Sequence, residues 1–463
     1  MDQYTERLAR RSANSAVRPT GWFKSLVLAI LFAIAVRAQQ SAPPELTLDQ
    51  AIQQALRNNA SLAVAKLETR RAADDLAANG ARRFANTQII ALGSQLLTRP
   101  SLTFARGSLG SFAATGPIPA TDQSITVARR PIGLIFASIA QPLSQQYRLH
   151  LLLSALSLGV AGAREDERKQ RLETIDQVRR VYYTVVSAQS QLDSLEASLP
   201  YYRESNRLAT EHRKTETILE SDLLASKVQL LKTETAVAEA ADQLAAVSER
   251  LNDFMGRDIH TRFRVSGIAA MDTVEETPEA IEARALENRP ELKKAKLQVR
   301  QAEYDRRAKK AEYIPDISAT VHYFTTTNFG NTLPSNITSA GLQLTWEPWD
   351  FGRKRHELAE KQIKEEEAKV AVGATERAVL LEVRNAWRQL GNARRQLALS
   401  DASEQAVRQK LQEVQQRVAK EALLTKDLFA AQSELASADS QHQQALAAFW
   451  KARADLKKAT GEE

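Results

Sequence analysis

The chain has 463 residues, no cysteine, few glycines and prolines (17 and 14), and a formal charge of +7. Without cysteine there is neither a disulfide nor a lipid-bearing N-terminal cysteine, and a make-up dominated by Ala, Leu, Glu, Gln, Arg and Lys is that of long helices rather than of several small domains. Charges of both signs are spread through the helical segments, so the basic stripe of a nucleic-acid-binding surface is missing and nucleic acid is excluded as a partner.

Residues 1–38 read as a signal peptide. A leader with Arg7, Arg10, Arg11, Arg18 and Lys24 precedes the apolar run 25–36 (SLVLAILFAIAV), and Val36-Arg37-Ala38 stands before Gln39. A run of this length is too short to span a ~30 Å hydrocarbon core as a helix. The parts are those of a secretory leader cleaved after Ala38; a retained N-terminal anchor is the alternative.

A first unit is expected over 39–256. Helical periodicity runs from 47 to 83, strand-like segments occupy about 85–97 and 131–143, and a Gly-, Ser-, Thr- and Pro-rich loop at 98–130 separates them. In the first strand Ile90, Leu92 and Leu96 fall on one face. A long helix follows over about 145–212, with a kink or break expected at Pro200, and then a returning helix over 222–254. After a linker at 257–276 the same order recurs over 277–463. It comprises a helix at 278–312, strands at about 316–325 and 337–347, a long helix at about 352–418 and a last helix at 425–459. In the last strand Ala340, Leu342, Leu344 and Trp346 share one face, and Gly341, Gln343, Thr345 and Glu347 share the other. This period of two is that of a half-exposed strand.

The two units echo each other in residues as well as in order. At a constant offset of 230, Thr47, Leu56, Asn58, Leu62, Lys66, Arg70 and Asp75 meet Thr277, Leu286, Asn288, Leu292, Lys296, Arg300 and Asp305. At an offset of 205, Asp222-Leu223-Leu224-Ala225 meets Asp427-Leu428-Phe429-Ala430, and Gly256 meets Gly461. An internal duplication is the simplest reading, and repeated supersecondary units that cannot bury their own apolar faces imply a repetitive, oligomeric object.

Two lengths constrain the architecture. Each long helix is ~67 residues, about 100 Å at 1.5 Å per residue, and the two shorter helices of a unit stack to nearly that length. The returning helices carry apolar residues at alternating spacings of three and four (Leu230, Thr233, Val237, Ala240, Leu244; Leu435, Ala438, His442, Ala445, Phe449), which are coiled-coil seams. The four strands are long enough to cross a membrane when tilted. Four strands cannot close a barrel, and open edges in lipid would leave backbone groups unpaired. Several chains must therefore share one barrel if these strands enter a membrane.

With its paired helix starts (Leu46-Thr47-Leu48-Asp49-Gln50-Ala51-Ile52 and Ala285-Leu286-Glu287-Asn288-Arg289-Pro290), its strand ends (Gln141-Pro142-Leu143 and Glu347-Pro348-Trp349-Asp350-Phe351-Gly352) and its two Asp-Leu-x-x-Ala tracts, the chain resembles the TolC-like outer-membrane efflux proteins, the outer-membrane factors. The resemblance implies a mainly α fold with a small β part, in which a trimeric α-barrel of long coiled-coil helices continues into a shared 12-stranded transmembrane β-barrel. It implies an outer-membrane protein reaching into the periplasm, a homotrimer working with a periplasmic adaptor (membrane fusion) protein and an inner-membrane pump, in contact with outer-membrane lipid. Its expected function is that of a passive duct in a tripartite efflux pump or a type I secretion system. The competing reading is an envelope coiled-coil protein or a periplasmic adaptor, but an adaptor would show one helical hairpin between small Gly-rich β domains.

No catalytic constellation is present. The histidines are scattered, no His-Glu-x-x-His occurs, and no Gly-rich phosphate loop opens a helix. The chain is expected to be no enzyme and to hold no cofactor or metal. Asp222 and Asp427 sit in the first turn of each returning helix, where an acid stabilises the positive helix pole. The resemblance also makes Asp427 a candidate for the ring that constricts the periplasmic tip, although Ala430 stands where a second aspartate is common; Lys420 and Lys426 are nearby candidates at the same tip. Arg353, Lys354 and Arg355 begin a helix and oppose its dipole. They are candidates for a collar on lipid phosphates, with Trp346 and Trp349 in an aromatic belt.

Overall fold

The computed structural model describes residues 44–99, 101–126, 129, 131–267, 277–327, 336–420 and 425–462. The expected signal peptide, the end of the linker and the loop at 328–335 lie outside the described residues. In chain order the elements are β1 (Glu45–Leu46), α1 (Leu48–Asn58), α2 (Ala60–Gly80), β2 (Asn86–Gln95), β3 (Ser101–Phe104), β4 (Ser111–Phe112), β5 (Gly116–Pro117), β6 (Gln123–Thr126), β7 (Pro131–Pro142), α3 (Gln145–Lys214) and α4 (Glu220–Phe254). The second half holds β8 (Arg264–Val265), α5 (Pro278–Asn288), α6 (Pro290–Ala311), β9 (Asp316–Thr327), β10 (Asn336–Thr345), α7 (Arg353–Ala419) and α8 (Thr425–Thr460). The chain is mainly helical, with a small sheet at one end.

Local chemistry sets where these helices begin and break. Thr47 opens α1 with a capping box, its hydroxyl accepting from the Gln50 amide while the Gln50 side chain accepts from the Thr47 amide. The periodic segment 47–83, expected as one helix, is broken at Asn59. This residue is extended, closes α1 through its own N–H to Ala55, and caps α2 by accepting from the Leu62 amide. The segment 278–312 breaks at the same place for a different reason. Pro290 occupies the first position of α6 and holds Arg289 extended. The expected break at Pro200 is absent, because α3 runs through it for 70 residues. Pro200 and Glu196 both lie on the exposed side, where the carbonyl that loses its N–H partner can take a water molecule instead.

The helices pack as a ribbon around α3. Toward the sheet the order is α2, α3, α6, α7; toward the opposite end it is α4, α3, α8, α7. The sheet repeats that order strand for strand, as β2-β7-β9-β10, all antiparallel. Each strand continues the helix beside it, α2 into β2, β7 into α3, α6 into β9 and β10 into α7. Segment 98–130, expected as a loop, carries two nested short hairpins, β3–β6 around β4–β5.

The register shows which residues of neighbouring strands share a face. Across the sheet Ile89 and Ala91 align with Ala137 and Ile135, then with Tyr323 and Thr325. They share the apolar face of Ile139, Val321, Ile317, Leu342 and Leu344. Ile90 and Leu92 instead lie with Gln88, Ser138, His322, Ser339 and Gln343 on the more polar face. Ile90 and Leu92 share one face as expected, but both faces of β2 carry apolar side chains, so alternation alone does not say which of them joins the apolar face of the sheet. Both edge strands are exposed along their whole length.

The core sits near mid-length. Tyr182, 2% exposed, stands among Leu46, Ala51, Val178, Val185, Leu251 and Met255. Its hydroxyl donates to the Leu46 carbonyl (3.0 Å) and lies 2.9 Å from the Ser266 hydroxyl, tying α3 to the parallel pair β1–β8. Burial raises its pKa above the usual tyrosine range. In the second half Ile281, Ala285, Val379, Val383 and Ala459 form the corresponding cluster.

At each of these cores a helix end meets a helix corner. The turn after α4 uses Gly256 (φ +63°), where a Cβ would fall 2.8 Å from the Asn58 carbonyl oxygen; Asn59 donates its amide to the Phe254 carbonyl. After α8 the same place is taken by Gly461 (φ +76°), where a Cβ would fall 3.0 Å from the Asn288 carbonyl carbon. Here the buried Arg289 donates to the Lys458 carbonyl (3.1 Å) and to Glu382 (2.6 Å). Only glycine combines that backbone with that approach. Gly461→Ala is expected to cost at least about 1–2 kcal/mol from the left-handed backbone alone, and more from the contact with Asn288. A thermal or denaturant unfolding midpoint equal to that of the wild type would refute this.

Candidate functional site

Two places concentrate the candidate residues, the rim where the sheet meets the helices and the opposite end where α3 turns into α4 and α7 into α8. At the rim the chain leaves β10 through Trp346, Glu347, Pro348 and Trp349, turns at Phe351 (φ 53°) and Gly352 (φ 89°), and enters α7. Trp346, Trp349 and Phe351 are all strongly exposed, Phe351 completely so. They stand just beyond the apolar sheet face.

The basic start of α7 is not left against its own dipole. Asp350 accepts from the Lys354 amide (2.9 Å) and the Gly352 amide (3.1 Å), closing the first turn. Those backbone donors hold its carboxyl below the usual aspartate range. Arg353 bridges Glu347 (2.6 Å) and Glu357 (3.3 Å), and Lys354 donates to the Glu347 carbonyl. Glu357 also holds Lys309 from the end of α6 (2.6 Å), which pulls its pKa down. Arg355 is exposed. The rim is thus a patch of partly neutralised charge beside exposed aromatic side chains. Arg82 and Arg83, in a 3-10 turn at Ala81–Arg83, end the first unit's helix in the same zone.

At the opposite end Asp222 is exposed in the first turn of α4, and Asp427 is half-buried in the first turn of α8. The N-cap of α4 is Leu219, with no side-chain cap, so Asp222 acts on the helix pole by charge alone. The α3–α4 turn holds Glu216 in a left-handed conformation (φ 57°) and is tied by Arg213 to Glu220 (3.2 Å) and by Thr217 to the His212 carbonyl (2.8 Å). Lys420 is exposed in the turn after α7, and Lys426 lies in the first turn of α8. The packing of α4 and α8 on α3 puts both aspartates at the same end. Among the described residues no group of three or more His, Cys, Asp or Glu side chains is arranged to hold a metal ion. None of the described helices is long and apolar enough to cross a membrane.

Residues 283–462 match the model of the outer membrane efflux protein family. The matched family is one of efflux proteins, not of enzymes. Its fold is that of outer-membrane channels. It is similar to the outer membrane channel CmeC of Campylobacter jejuni (17% identity, TM-score 0.72, 89% of this chain and 85% of that one). It is similar also to the outer membrane protein VceC of Vibrio cholerae (13%, 0.68, 90% and 96%) and to the open state of the outer membrane channel MtrE of Neisseria gonorrhoeae (16%, 0.66, 91% and 90%). A search of curated proteins returns no match.

Some functional residues of the rim escape a reading of composition and period. Asp350 was visible as part of the Asp-Phe-Gly turn, but its capping role needs the left-handed Phe351 and Gly352 to bring the carboxylate under the first amides. Its contribution has a pH signature. A carboxylate held below its ordinary value stabilises the first turn of α7 fully above the usual aspartate range near pH 4. That contribution is lost as the pH falls through the lowered value. Asp350→Asn is expected to reduce amide-exchange protection at Lys354 at pH 7, with wild type and variant converging as the pH falls through the lowered value. Equal protection at pH 7 would overturn the assignment.

Proposed function

We propose that three copies of this chain form a passive duct through the outer membrane, serving a tripartite efflux pump or a type I secretion system. The observation that carries this is the four-stranded sheet with two open edges. Ile89, Ile135, Ile139, Ile317, Val321, Leu342 and Leu344 are exposed together on one face, a surface suited to hydrocarbon. The opposite face, with Gln88, Ser138, His322 and Gln343, suits water. Strands β2 and β10 present unpaired backbone groups that lipid would penalise by several kcal/mol each. Pairing β10 of one copy with β2 of the next satisfies them, and three copies close a barrel of 12 strands. The helices then continue the same ring as a tunnel of about 100 Å, long enough to lead through the periplasm to an adaptor and an inner-membrane pump. The residue echoes at offsets of 230 and 205 fit an internal duplication that gives this ring six near-equivalent units.

Within that duct the rim and the tip take separate roles. Trp346 and Trp349 form part of an interfacial aromatic belt, and Arg353, Lys354 and Arg355 a collar toward lipid phosphates. Asp427 lines the tip, where three copies would make a ring of negative charge that favours cations, with Lys420, Lys426 and Asp222 around it.

Because the natural chain has no cysteine, the shared barrel can be tested by cross-linking on a clean background. Gln88→Cys or Ile90→Cys in β2, combined with Ser339→Cys or Gln343→Cys in β10, is expected to give an oxidised trimer that withstands boiling in detergent. If every pairing leaves only monomer, the shared barrel is wrong. In planar bilayers the reconstituted protein is expected to conduct, with Asp427→Asn shifting the reversal potential toward lower cation preference. An unchanged potential removes Asp427 from the constriction. Replacing Arg353, Lys354 and Arg355 together by Gln is expected to weaken insertion, and unchanged insertion and trimer stability would discard the collar.

A further inference from the structure

Away from the rim and the tip, a cavity of about 530 Å³ lies where the start of α5, the middle of α7 and the end of α8 come together. Its floor is apolar, made by Ile281, Leu390 and Leu456, with Trp387 (41% exposed) at its side. Four cations line it, Arg284, Arg394, Arg453 and Lys457, against one described carboxylate, Glu462. That carboxylate is engaged by Arg284 at 2.9 Å. Arg453 lies over the Trp450 ring, 4.9 Å from its centroid, so its charge meets an aromatic face and no described acid.

Lysine in the last turn of a helix ordinarily serves the negative helix pole. Two lysines end α8, and they behave differently. Lys458 turns to the buried Asp176 (3.2 Å) on α3. Lys457 lines the cavity, and no carboxylate of the described residues lies within ion-pair distance of it. Burial, with Arg179 and Arg453 beside it, pushes the Lys457 ammonium below the usual lysine range, opposed by Glu462. Arg284 and Arg394 have partners of their own, so the positive charge set against the apolar floor is that of Arg453 and Lys457. The volume falls within the roughly 300–1,000 Å³ of small-molecule sites, which combine an apolar lining with a few convergent polar groups.

We propose that this cavity binds an amphiphilic anion, a carboxylate or sulfonate carried on an aromatic or aliphatic body. The anionic group would lie between Arg453 and Lys457, and the apolar body against Trp387 and Leu456. Such a site is separate from the tip and the membrane rim, and it does not depend on the duct being trimeric.

The test uses the full-length protein in lipid nanodiscs, titrated calorimetrically with naphthalene-1-carboxylate and with its neutral counterpart 1-naphthalenemethanol, after subtraction of empty discs. The carboxylate is expected to bind at least tenfold more tightly than the alcohol. Arg453→Gln with Lys457→Gln is expected to remove at least tenfold of that affinity, whereas the charge-preserving Lys457→Arg keeps it. Fluorescence quenching on binding is expected to vanish in Trp387→Phe. Equal affinity for acid and alcohol, or an affinity untouched by the double variant, would overturn the site. Because Lys457→Gln alone changes one half-buried side chain, a several-fold loss from it supports the site even if the double variant is poorly folded.

Discussion

Length matching between helices is the constraint on which the rest of this architecture stands. A single helix of 70 residues can be flanked evenly only if shorter helices meet end on beside it without a gap. The molecule does this twice, by pressing the C-terminal turn of α4 into the α1–α2 corner and that of α8 into the α5–α6 corner. The two joints use the same glycine geometry but different side-chain partners. Asn59 supplies a neutral amide where Arg289 supplies a buried guanidinium held by Glu382 and Glu291. The charged version brings α7 into its joint as well.

From those joints the order of everything else follows. Helices placed side by side in the sequence α2, α3, α6, α7 hand their order directly to β2, β7, β9 and β10, so the sheet needs no crossover of its own. Among the described residues no helix covers either face, and its edges stay open. An isolated soluble domain would cover such a sheet or blunt its edges; here neither device is present among the described residues.

Much of this was legible from residue order. The long helices, the strand pairs and the returning seams all carry strong periods over many residues, and tertiary packing had little to override. What escaped was local or long-range. The corner at Asn59 lies in an unbroken helical period, and only its side-chain bond to the Leu62 amide marks it; Pro290 was the readable half of that pair. Pro200 misled in the other direction, since an exposed proline in a helix pinned along its whole length is tolerated. The parallel pair β1–β8 joins two-residue segments over 200 positions apart, too short for any periodic signal. The faces of β2 could be told apart only through the register of its neighbours. Of the candidate residues, the aspartates were visible from their place in the first turns, and the rim charges from their crowding. The cation-lined cavity was not, since Arg284, Arg394, Arg453 and Lys457 meet only after three helices are packed.

The joint at Gly461 also fixes how motion at one end of the molecule is scaled at the other. From that glycine α8 extends 36 residues, about 54 Å, to the turn that carries Asp427. A rod of that length pivoting about its anchored end converts a tilt of about 5° into a displacement of about 5 Å at the far end. The helix is a lever with its fulcrum in the core, so adjustments small enough to leave the packing around Ala459 and Ile281 intact are enough to shift the end that carries Asp427.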